Sequence, residues 1–206
     1  MFLHRGSTAA SPTIAPVHQL GASQAGARLA YGFGSEASVR AYSRATIAME
    51  HPSQRELAFG LAAAPVPGLP VDIAVEQRIA VGDAGRTALA AMMVAGVDNI
   101  SMPANFRLEA YGQAGVVGAR RRDLFGSGAI VVDRALGKNE NAPLRLGLMA
   151  AAAGQPGATR MDVGPRATLR LPGVGQGARL ALDWRERVAG KAAPDSGIAL
   201  SLAADF

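Results

Sequence analysis

The chain has 206 residues, 49% of them hydrophobic, with 21 basic against 16 acidic side chains and no cysteine. The missing cysteine excludes disulfide frameworks, zinc-thiolate sites and thiol catalysis. The longest unbroken run of apolar residues and glycine, Ala88 to Val97, is too short to cross a bilayer as a helix. No abrupt change of composition marks a domain boundary, so the length reads as one all-β domain.

Lys138 and Lys191 are the only lysines, and the other basic residues are arginines spread singly along the chain apart from Arg120-Arg121-Arg122. That spacing, with few aromatics to act as stacking platforms, argues against nucleic-acid binding. The triple arginine reads as a solvated turn, with anion binding as the minor alternative.

In chain order, residues 1–25 form a polar lead-in, read as flexible, with Ile14 to Leu20 an optional extra strand. Its first residues, Met1-Phe-Leu-His-Arg-Gly-Ser, lack the apolar core of a secretory signal. The chain therefore reads as part of a longer exported protein or as a mis-called start, with a cytoplasmic protein as the alternative. Residues 26–206 form the main domain, a succession of segments with a period near two separated by turn clusters. Gly26 to Gly34 is a weak strand. Ala37 to Met49 sets Val39, Ala41, Ile47 and Met49 against Arg40, Tyr42, Arg44 and Thr46. Glu56 to Val66 puts Leu57, Phe59 and Leu61 on one face. Val71 to Val81 opposes Ile73, Val75, Ile79 and Val81 to Asp72, Glu76 and Arg78, with Gln77 as the exception.

Arg86 to Val97 is weaker and is followed by a turn at Asp98-Asn99. Phe106 to Gly118 contrasts Phe106, Leu108, Ala110 and Val116 with Arg107, Glu109, Tyr111 and Gln113. Asp123 to Leu136 and Pro143 to Gly154 are weak. Thr159 to Leu171 is the clearest alternation, with Met161, Val163, Ala167 and Leu169 opposed to Arg160, Asp162, Arg166 and Arg170. Pro165 within it removes a ladder donor and predicts a bulge. Gly177 to Ala189 opposes Leu180, Leu182, Trp184 and Val188 to Arg179, Asp183, Arg185 and Arg187. Glu186 is on the wrong face there and is expected near a rim. The final strand places Ile198, Leu200, Leu202 and Ala204 together and ends on Phe206.

The count is about eleven segments, and single-chain bacterial barrels favour even numbers, so an antiparallel transmembrane up-and-down β-barrel of ten to twelve strands is expected. An arginine on the lipid face near the midplane costs roughly 2 to 4 kcal/mol. The arginine face must then be the lumen. Its candidates are Arg40, Arg44, Arg78, Arg107, Arg145, Arg160, Arg166, Arg170, Arg179, Arg185 and Arg187, partly balanced by Asp72, Glu76, Glu109, Asp162 and Asp183. Two roles stay open for this ladder: internal packing, or a basic pore that admits anionic solutes.

Catalysis is not expected. His4 and His18 lie in the lead-in and His51 precedes Pro52 in a turn, so no triad assembles readily. No cluster has metal-ligand spacing, and nothing calls for a cofactor.

The last strand, with Ile198, Leu200, Leu202 and terminal Phe206, resembles the C-terminal signal that the outer-membrane barrel assembly machinery reads. With it, Ala74-Val-Glu-Gln-Arg-Ile-Ala-Val-Gly82, Arg107-Leu-Glu-Ala-Tyr-Gly-Gln-Ala-Gly115 and Arg160-Met-Asp-Val-Gly-Pro165 resemble the C-terminal barrel domain of outer-membrane proteins in which tetratricopeptide repeats precede the barrel. That group includes bacteriophage adsorption protein A and exopolysaccharide export porins. The resemblance implies a bacterial outer-membrane location, contact with its lipid and lipopolysaccharide, and an anionic solute or polysaccharide as cargo. A porin-like or polysaccharide-export channel is the first expectation. A structural or phage-attachment anchor with a packed lumen is the alternative, and a soluble all-β binding protein the third.

Overall fold

The computed structural model describes residues 2–4, 24–33, 39–48, 55–66, 68–81, 87–118, 122–137, 142–171, 176–192 and 195–205. The strands are β1 (Phe2–His4), β2 (Gln24–Phe33), β3 (Val39–Ala48), β4 (Arg55–Ala63), β5 (Val71–Ala80), β6 (Ala88–Met102), β7 (Phe106–Val117), β8 (Asp123–Ala135), β9 (Leu144–Gln155), β10 (Ala158–Arg170), β11 (Gln176–Gly190) and β12 (Gly197–Asp205). A single 3-10 turn, Pro103–Asn105, is the one helical element among the described residues. Apolar side chains at every second position give a strand one apolar face, whereas a helix would scatter them around its axis.

From β2 to β12 the chain makes one up-and-down sheet, each strand antiparallel to its neighbours in sequence. β1, inside the stretch expected as a lead-in, extends the sheet beyond β12 in parallel, Phe2 beside Ala203 and His4 beside Asp205. The expected strand Ile14 to Leu20 lies outside the described residues. Among the described residues the antiparallel strands number eleven rather than an even count, and the sheet does not close into a barrel. An odd count leaves β2 and β12 running the same way, so antiparallel pairing between them is not available.

Two local expectations are corrected. Pro165 carries no bulge. β10 keeps an unbroken register with β9 through Pro165, and on the β11 side the ladder skips Gly164 and Pro165 without a slip. The missing donor is absorbed as an unpaired step, and the register shift falls earlier, between Met161 and Asp162. Asp98-Asn99 is likewise not a turn. β6 continues to Met102, and the register with β7 slips between Val97 and Ile100. Asn99 takes a φ of 57° there, which asparagine tolerates better than most side chains. The residues that favour a turn form a bulge here.

Burial is the reverse of the usual soluble pattern. Asp183 is 0% and Asp162 1% exposed, while Leu148 is 67% and Ile198 74% exposed. Small residues on the buried face allow the sheet to curl toward it. Ala30, Ala62, Ala74 and Ala90 pack with Tyr42 and Met92 in one cluster, and Ala129, Val131, Met149 and Ala151 form a second.

Glycines receive the large rings of this face. Tyr42 and Gly60 are direct cross-strand partners, and a Cβ on Gly60 would lie 2.6 Å from the tyrosine Cζ. Phe125 occupies the same relation to Gly115 one side of the sheet further on, where an added Cβ would lie 2.8 Å from the ring. Gly60→Val should therefore displace Tyr42 and lower stability by about 1 to 3 kcal/mol, read from equilibrium urea unfolding. Adding Tyr42→Ala in the same chain should recover part of that loss, because the two changes share one space.

Candidate functional site: the charged concave face

The buried face is held by arginines placed by the period-two alternation, most of them answered by a carboxylate on their own or another strand. On the β3 to β5 side, Arg44 bridges Glu56 at 2.8 Å and Glu76 at 3.0 Å. Arg78 Nε donates to Glu76 at 2.7 Å, and its guanidinium stands 5.0 Å from the Phe125 ring centroid. The Tyr42 hydroxyl donates to Glu76 at 2.9 Å. One glutamate thus gathers three donors, and it is 2% exposed. Arg40 pairs with Asp72 above them.

On the β7 to β11 side, Arg166 grips Asp183 with Nε on one oxygen and Nη2 on the other, the latter at 2.8 Å. Asp183 also accepts from Arg185 at 3.3 Å. Arg160 pairs with Asp162 at 2.6 Å, and Arg145 with Asp133 at 2.6 Å. Two-pronged arginine grips of this kind combine charge with planar geometry.

One pair reports the shape of the whole sheet. Arg179 on β11 and Glu109 on β7 meet at 3.0 Å, although four strand spacings separate them in the sheet order. In a flat sheet that separation would be about 19 Å. The charged face is therefore concave and meets itself across the interior.

Of the predicted lumen residues, Arg40, Arg44, Arg78, Arg107, Arg145, Arg160, Arg166, Arg179 and Arg185 share this face. Arg187 is drawn to its end instead, where it bonds the Ala192 carbonyl at 3.1 Å and pairs with Asp195. Arg170, on the same face where β10 ends, is exposed. Glu186 is outward-facing, as its misplaced parity required, and accepts from Trp184 Nε1 at 3.3 Å. Ile198 and Leu200 are exposed on the convex face. Leu202 pairs in register with Leu180, and Phe206, His18 and His51 lie outside the described residues.

Sequence reasoning passed over Asp133, Glu56 and the Tyr42 hydroxyl. Asp133 had a signal: it alternates with Val132 and Arg134 in a strand judged weak. Arg134 turns outward, its guanidinium 5.9 Å from the Phe106 ring.

On the convex face an open groove of about 620 Å³ runs over Ala41 and Ser43 between Tyr31 and Phe59. It belongs to the apolar surface and gathers no converging charge. Among the described residues no group of three His, Asp or Glu side chains is placed to hold a metal ion. No described helix is long and apolar enough to cross a membrane. What the concave face does chemically is electrostatic: it neutralises and packs. Comparison of the chain with protein-family models, curated proteins and solved structures finds no match in any of the three.

Asp183→Asn should cost about 3 to 5 kcal/mol, because it strands two arginines in a buried site. The double change Arg166→Met with Asp183→Leu should cost clearly less than the single one. Guanidinium unfolding midpoints of the three chains compare them directly.

Proposed function

We propose that the chain is a transmembrane β-barrel of the bacterial outer membrane whose interior is packed by arginine-carboxylate pairs, serving as a structural or anchoring barrel. The supporting observation is the pairing of opposites on one sheet: charges buried or half-buried on the concave face, large apolar side chains exposed on the convex face. A soluble protein rarely presents so continuous an apolar surface to water. Lipid accepts it without cost.

The packed reading is preferred over the open channel on burial. A water-filled pore would leave its lining charges reachable, whereas Asp183, Asp162, Arg145 and Asp133 are each at most 4% exposed. Lipid and lipopolysaccharide are the partners of the convex face.

Refolding into lipid vesicles tests the placement. Leu148→Arg, in mid-β9, should lose about 2 to 4 kcal/mol if that face meets lipid, and within about 0.5 kcal/mol if it meets water. Planar-bilayer recording tests the packing. The inserted protein should conduct no current, and a steady anion-selective conductance would restore the porin-like or polysaccharide-export channel with an open arginine lumen.

A further inference from the structure

At one end of the concave face Arg170 stands without a carboxylate of its own among the described residues. Arg170, closing β10, is the direct cross-strand partner of Arg179 at the start of β11. Like charges set opposite each other in an antiparallel pair destabilise it. On neighbouring β9, Arg145 stands across from Thr168, two positions before Arg170. Arg107, from β7, is the cross-strand partner of Asp133. The charges of Arg107 and Arg145 reach Arg170, as do those of Asp133 and Glu109.

Both carboxylates that reach Arg170 are already engaged, and Asp98 adds a further negative charge beside Glu109. Asp133 takes Arg145 Nε at 2.6 Å, and Glu109 takes Arg179 at 3.0 Å. Among the described residues no ion pair reaches Arg170, whose side chain is exposed at the mouth while Arg145 behind it is 3% exposed. A cation facing a cation, open on one side and backed by protein on the other, is the electrostatic outline of an anion site.

We propose that this mouth binds an oxyanion of the phosphate type, gripped by Arg170 and Arg179 with Arg145 and Arg107 behind them. Planar guanidinium forks match phosphate oxygens two at a time. The phosphate arises either as a free ion or as the phosphodiester of a lipid headgroup. The site depends on the curled sheet alone and not on the membrane reading, so it stands or falls separately from it.

The test is titration calorimetry on the folded full-length chain at low ionic strength, in detergent micelles or in plain buffer as its solubility requires. The probes are inorganic phosphate and, in a second arm, water-soluble dihexanoyl phosphatidylglycerol. Arg170→Gln should weaken binding about tenfold or more, while Arg134→Gln, on the outer face at the same end, should leave it unchanged. Binding of the lipid alone would assign the headgroup as the source; binding of inorganic phosphate would assign the free ion. A second readout guards against a merely structural effect. Without phosphate, Arg170→Gln should raise the thermal midpoint by relieving the repulsion from Arg179, and added phosphate should stabilise the unmodified chain and not the variant. Absence of binding by both probes, or equal binding by Arg170→Gln, would overturn the proposal.

Discussion

A charge can leave water only if another group answers it, and this requirement governs the sheet. Each buried ion costs several kcal/mol to desolvate, so the concave face exists only where strands bring arginine and carboxylate within bonding distance. Arg166 and Asp183 do so on adjacent strands. Arg44 and Glu76 do so across an intervening one, and Arg179 and Glu109 across three. The longer-range pairs bind curvature and charge together. Flattening the sheet would pull Arg179 from Glu109, and removing either partner would relax the curl. Alanine and glycine on the same face make the curl sterically possible, and the pairs make it favourable.

The strands and their faces were legible because the side-chain period of a strand is two, and a one-residue slip would move the entire charged set to the other side. Arg160, Asp162 and Arg166 against Met161, Val163 and Ala167 could be read in only one way. Glu186 was legible as an exception for the same reason. The pairing partners were not. Alternation says which face Asp133 occupies but not that Arg145 reaches it, since that depends on the register between β8 and β9. The Tyr42 and Gly60 interlock was hidden similarly: a glycine in a strand looks like a weakness until the ring across from it is known.

Glycine, proline and asparagine signals were read correctly as breaks and incorrectly as to kind. Asn99 supplies the left-handed residue of a bulge inside β6 rather than a turn, because the ladder with β7 resumes at Ile100 and runs on to Met102. Pro165 costs a hydrogen bond and no residue, so the ladder resumes in register. Closure lay beyond any local reading, since it depends on the parity of the whole strand set.

That parity bears on where the fold opens. The ten ladders from β2 to β12 are antiparallel, and their consecutive strands are tied by connections along the chain. The line from β12 toward β2 is different: β1 lies along β12 in parallel over three residues, with the slanted and slightly weaker hydrogen bonds of a parallel pair. Cooperative opening starts where backbone bonds are fewest and least supported. The outer amides of β12 should therefore exchange with solvent deuterium well before those of β9, which is bonded on both sides, and the molecule would come apart as a ribbon unrolled from one edge rather than a cylinder crushed from its middle.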